Sequence, residues 1–243
     1  MILPQKPSYN EKIEISNELG IEVFVKREDV LHAEISGNKF RKLTYNLEEA
    51  KQQGKTKLLT FGGAYSNHIA AVAAAGRDYG FETIGVIRGE ELEWKYQENP
   101  TLKKASQDGM QFYFATRTQY RDKTNADFLE NLHQQFGDFY LIPEGGTNEF
   151  AVKGCEEILT DEDAVFNFVC CAVGTGGTIS GIINSLKPHQ KAIGFPALKG
   201  DFLFNDIQKY VKNTQWDLVT DYHFGGYAKI NTELKLFLNS FYQ

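Results

Sequence analysis

Apolar and polar positions alternate in two rhythms along the chain. Residues 21–26 (Ile21-Glu22-Val23-Phe24-Val25-Lys26) switch sides at every step, the period of a half-buried strand. A Ser36-Gly37-Asn38 run suited to a turn and an N-cap then leads into a helix that carries Lys39 in its first turn and runs through roughly residue 53, with Gly54 as its C-terminal cap. Lys57-Leu58-Leu59-Thr60-Phe61 is a buried strand, followed by a turn and an alanine-rich helix from Ile69 to about Tyr79 that Gly80 stops. The alternation repeats, with strands near 82–87, 111–115 and 139–142 and helices near 98–108 and 124–136. After Pro143 and Gly145-Gly146 come helix 147–159, strand 165–173, helix 178–186 and strand 191–195. A helix near 203–212, a short strand near 217–220 and a helix from about Asn231 to Tyr242 end the series. Strands taking turns with helices predict an α/β protein with open, mostly parallel sheets flanked by helices on both faces.

Composition narrows the function classes. At 243 residues there is length for one large α/β unit or two modest domains. The net charge of −6 argues against a nucleic-acid partner, which calls for a basic excess. No apolar run approaches the ~20 residues of a membrane span. Met1 to Pro7 shows no signal-peptide core, and Cys155, Cys170 and Cys171 form no disulfide framework, so the expected setting is cytoplasmic. The last helix carries Leu234, Phe237, Leu238, Phe241 and Tyr242 on one face, which implies a partner chain or a longer parent sequence.

Four stretches carry candidate chemistry. In Ser36-Gly37-Asn38-Lys39-Phe40-Arg41-Lys42-Leu43 a lysine falls in the first turn of a helix, where the dipole disfavours a cation. Like charges and burial both favour a neutral amine there, a nucleophile able to form a Schiff base; the plainer reading is a solvated basic face. Gly62-Gly63-Ala64-Tyr65-Ser66-Asn67-His68 joins a strand to a helix. Ser66 fits an N-cap there or a carboxylate site, and His68 a ligand, a base or a packed residue. Gly174-Thr175-Gly176-Gly177-Thr178 makes a second such junction, either a tight turn or a cup for one phosphate monoester. It is neither GxGxxG nor a Walker loop, and no cluster has metal-ligand spacing. Phe224-Gly225-Gly226-Tyr227 lets backbone approach a ligand closely, with the phenol turned into the site.

In their order and spacing these segments, with Val25-Lys26-Arg27-Glu28-Asp29, resemble the 1-aminocyclopropane-1-carboxylate deaminase / D-cysteine desulfhydrase family, pyridoxal 5'-phosphate enzymes of the tryptophan-synthase-β fold type (fold type II). The resemblance implies a smaller domain, residues 46–150, inserted in a larger one made of residues 1–45 and 151–243. It implies that Lys39 forms the internal aldimine and moves the proton at the substrate α-carbon. Ser66 would serve the substrate carboxylate or the chemistry, and Asn67 the cofactor's phenolic oxygen. Gly174, Thr175, Gly176, Gly177 and Thr178 would hold the phosphate, and Tyr227 would lie near the substrate, with Ala228 where the family has glycine. The expected activity is that of a deaminase or lyase on a small amino acid, in a homodimer. Family members continue past this endpoint into a segment with a second active-site tyrosine, so the alternative expectation is a catalytically impaired cofactor- or phosphate-binding homologue.

Overall fold

The alternating stretch predicted at 21–26 pairs with its own upstream segment. In the computed structural model, which describes residues 3–15, 20–226 and 229–241, β1 (Asn10–Ile13) and β2 (Val23–Lys26) run antiparallel, with Asn10 opposite Lys26 and Ile13 opposite Val23. This small antiparallel sheet adds to the parallel sheets that the pattern predicts. The chain as a whole divides into two compact units, residues 1–150 and 151–243.

In the first unit, after β2, come α1 (Asn38–Gln52), β3 (Lys57–Gly62), α2 (Asn67–Tyr79), β4 (Glu82–Arg88), α3 (Pro100–Gln107) and β5 (Gln111–Ala115). α4 (Arg117–Arg121), α5 (Ala126–Phe136) and β6 (Tyr140–Ile142) follow, and α6 (Glu149–Cys155) crosses into the second unit. The four strands form one parallel sheet in the order β5-β4-β3-β6. Lys57 stands opposite Glu82, and Leu58 opposite Tyr140. Strands of such a sheet are apolar on both faces because helices cover both. Leu58, Ile87 and Ile142 pack with Leu43 and Leu47 of α1, Val72 of α2 and Leu102 of α3. Leu59, Phe61, Ile84 and Val86 pack with Tyr120 of α4 and Phe128 and Leu132 of α5. Each leucine buried in this way contributes about 1.5–3 kcal/mol.

The second unit holds β7 (Phe168–Val173), α7 (Gly177–Asn184), β8 (Lys191–Pro196), α8 (Phe202–Gln208), β9 (Trp216–Leu218) and α9 (Thr232–Phe241). Its sheet is parallel in the order β7-β8-β9. Ile179, Ile182 and Ile183 of α7 meet Ile207 of α8 and Trp216 of β9 in a separate core. Phe237 and Phe241 of α9 stack at 5.9 Å and are exposed. Several predicted ranges are corrected: the strand expected from 165 begins at Phe168, and the helix expected to reach 212 ends at Gln208. α6 stops at Cys155 and not near 159; a separate turn at 161–165 opens there, with the N–H and hydroxyl of Thr160 both donating to the Asp163 carboxylate. α4 was not predicted; the Thr116–Gln119 capping box starts it. Among the described residues no helix is long and apolar enough to cross a membrane.

Candidate functional site

Lys39 is the second residue of α1 and is half-buried. Gly37, with φ 59°, is the residue at the N-cap, so the Ser-Gly-Asn run starts the helix by turning the chain and offers no side chain as a cap. No acidic residue sits in the first turn to balance the dipole. Lys39 Nζ donates to Asn38 Oδ1 at 3.3 Å. The two basic residues that follow do not form a solvated face. Arg41 makes a two-pronged ion pair with Glu28, at 2.7 and 3.0 Å, with both side chains mostly covered. Lys42 is only 2% exposed, and its ammonium donates to Gly145 O at 2.9 Å and Thr147 Oγ1 at 3.1 Å.

β3 delivers the next group. Gly62 ends the strand, and a Cβ there would run into Ile69 and, at 2.9 Å, into Ser66 Oγ, so the turn folds back tightly on the strand end. Ser66 is the N-cap of α2, accepting from Ile69 N at 3.3 Å. Asn67 begins the helix and is exposed. His68 points inward: its Nε2 lies 2.8 Å from Thr60 Oγ1, and its Nδ1 is buried with no hydrogen-bond partner. Burial, then the charges of Lys39 and Lys42, hold this imidazole well below its ordinary range. The charges of Lys39 and Lys42 on α1 thus act on His68 in the first turn of α2.

The sheet order explains why these groups meet. The chain leaves β3 toward β4 on one side and later returns to β6 on the other, and the crevice beyond the carboxyl ends at such a switch point is where open α/β sheets bind ligands. Turn 143–147, noted in the sequence only as Pro143 and two glycines, packs against the first turn of α2. Gly145 and Gly146 take φ of 66° and 70°, and a Cβ on Gly146 would lie 2.9 Å from His68 Cε1. Glu144 anchors the turn, accepting from the Tyr120 hydroxyl at 2.6 Å and Lys123 at 3.2 Å. Burial and the Glu144 charge push the Tyr120 phenol up from its usual range, so it stays a donor. A proline-acid-glycine-glycine run just after an apolar strand was the available signal.

In the second unit, residues 174–178 link β7 to α7. Gly176, with φ 84°, is the N-cap and offers no side chain; a Cβ there would meet Ile207 Cγ1 at 2.9 Å. Gly177 opens the helix and is buried, while Gly174 is exposed with open space around it. A helix start without a side-chain cap directs its first N–H groups and positive dipole end at whatever anion arrives. Tyr227 lies outside the described residues; Phe224, Gly225 and Gly226 before it all have positive φ. Among the described residues no group of three His, Cys, Asp or Glu could hold a metal.

The family model described as "Pyridoxal-phosphate dependent enzyme" matches residues 11–211. The chain is 31% identical over 242 residues to a putative 1-aminocyclopropane-1-carboxylate deaminase of Thermotoga maritima, covering 90% of this chain and 76% of the relative. It is 27% identical over 192 residues to a D-cysteine desulfhydrase of Serratia proteamaculans, covering 74% and 58%. A solved structure of an ACC deaminase homologue matches with a TM-score of 0.81 at 27% identity, over 98% of this chain and 78% of that one.

Proposed function

The chain belongs to the pyridoxal-phosphate dependent enzyme family, in its group of 1-aminocyclopropane-1-carboxylate deaminases and D-cysteine desulfhydrases, and on that premise we propose that it deaminates a small amino acid of one of these two types. The observation that carries the reading is that turn 143–147 touches both helix starts: Lys42, three residues after Lys39, donates to Gly145 O, and His68, next to Ser66-Asn67, lies against Gly146. The donor set suits the cofactor: a primary amine for its aldehyde, and a helix start without a side-chain cap for its phosphate. When bound, pyridoxal phosphate supplies an electron sink for charge developing at the substrate α-carbon.

In this proposal Lys39 holds the cofactor and moves the proton at that carbon. Ser66, whose oxygen already accepts from Ile69 N, still has its hydroxyl proton to donate to a substrate carboxylate. Asn67 donates to the cofactor's phenolic oxygen, residues 174–178 hold its phosphate, and Tyr227 lies beside the substrate. The grouping of residues 1–45 with 151–243 around an inserted 46–150, the homodimer and the cytoplasmic setting belong to the same proposal.

The test is a visible spectrum of the protein with added pyridoxal phosphate, before and after D-cysteine or 1-aminocyclopropane-1-carboxylate. A lysine-bound cofactor band that borohydride abolishes, absent in Lys39→Ala, and ammonia release from one of the substrates are expected. A protein that captures no cofactor sinks the reading. Capture without ammonia from either substrate removes the deaminase assignment and leaves a binding homologue.

A further inference from the structure

Among the described residues, Nδ1 of His68 is the one buried side-chain nitrogen or oxygen without a hydrogen bond. Its neighbours fix which ring nitrogen carries the proton. Thr60 Oγ1 lies 2.9 Å from the carbonyl oxygen of Ile142 and 2.8 Å from His68 Nε2. A carbonyl only accepts, so the single hydroxyl proton goes to Ile142. Thr60 then presents lone pairs to the imidazole, and Nε2 must carry hydrogen. A neutral ring has one N–H, which leaves Nδ1 as a bare lone pair on the edge packed against Gly146. The neutral state agrees with full burial beside the ammonium charges of Lys39 and Lys42.

Resting on the function proposed above, we propose that His68 is a positioning residue of the Lys39 site. Held as its Nε2–H tautomer between Thr60 on β3 and Gly146, it sets the first turn of α2, and with it Ser66 and Asn67, against turn 143–147. Ser66 and Asn67 immediately precede it, so the anchor of this ring fixes the direction in which both face the crevice. Errors of about 1 Å in such groups are felt strongly in chemistry. The residue type follows from its surroundings. A protonated ring would add a third cation beside two lysines and direct Nδ1–H at a glycine that offers it no acceptor. An aliphatic side chain would leave the Thr60 oxygen without its donor.

The first measurement uses protein labelled with 15N-histidine, without added cofactor. Long-range 1H–15N spectra should show His68 neutral at pH 7 with hydrogen on Nε2; hydrogen on Nδ1, or an imidazolium, overturns the assignment. The second is a visible-absorbance titration with pyridoxal phosphate. His68→Gln, whose amide N–H can replace the bond to Thr60, should bind within about threefold of the native protein, and His68→Leu about tenfold or more weakly, one lost interaction's worth. Equal binding by folded His68→Leu overturns the positioning role. If that variant does not fold, Thr60→Val removes the same anchor and is read in the same way. A native protein that takes up no cofactor defeats the functional reading while leaving the nitrogen spectra to decide the tautomer.

Discussion

His68 gives the site a pH signature. Burial and two neighbouring ammonium groups lower its folded pKa, whereas in the unfolded chain it titrates near about 6.5. Below that pH the unfolded state binds a proton that the folded state refuses, so this contribution is fully present above about pH 6.5 and is lost as pH falls toward the folded value. The slope from one such group is at most about 1.4 kcal/mol per pH unit. Urea titrations at pH 7.5 and 5.5 should therefore show a larger acid loss in the native protein than in His68→Gln, and parallel losses would discount the effect. Lys42 makes a related point. From its neighbours in sequence it passes for part of a solvated basic stretch, yet it is 2% exposed and donates to Gly145 O and Thr147 Oγ1 of turn 143–147. No local pattern encodes that.

At the scale of elements, α7 depends on a missing side chain. A Cβ on Gly181 would run into Cys155 Cβ and lie 2.6 Å from the Val152 carbonyl, so α7 and α6 approach backbone to backbone. Gly181→Ala should cost about 1–3 kcal/mol by overpacking, read as a lower urea midpoint with unchanged slope. It should also weaken phosphate capture at the start of the same helix; an unaltered midpoint would mean that α6 simply moves aside. Elements of this kind were largely legible in the sequence. The βα alternation survives in apolar runs such as Lys57–Phe61 and in stops such as Gly80, because parallel strands buried on both faces need little from distant sequence to declare themselves. β1 was not legible: Asn-Glu-Lys-Ile holds one apolar residue and becomes a strand by pairing with β2. The start of α1 was legible as a turn, while its cap turned out to be Gly37 and not a serine or asparagine side chain. The packing of turn 143–147 beside residues 62–68 escaped notice because strand order, not composition, brings the two together.

At the scale of the molecule, each unit has its own core; Lys39 belongs to residues 1–150 and the glycine loop to residues 151–243. A cofactor bound by the folded chain alone adds stability by mass action, about 2.7 kcal/mol at a hundredfold excess over its dissociation constant. For a chain of this size that is a rise in melting temperature of roughly 5–10 °C. Thermal melts with and without pyridoxal phosphate should show this rise, much reduced in Lys39→Ala; identical melts would argue against uptake by the native fold. The link between Lys42 and Gly145 spans 103 residues of sequence. On a ribosome adding about 5–20 residues per second, the carbonyl that will receive this ammonium is made roughly 5–20 s after the lysine itself. Throughout that interval the nascent first helix carries an unburied charge, and it cannot settle into its final seat until translation has passed residue 147.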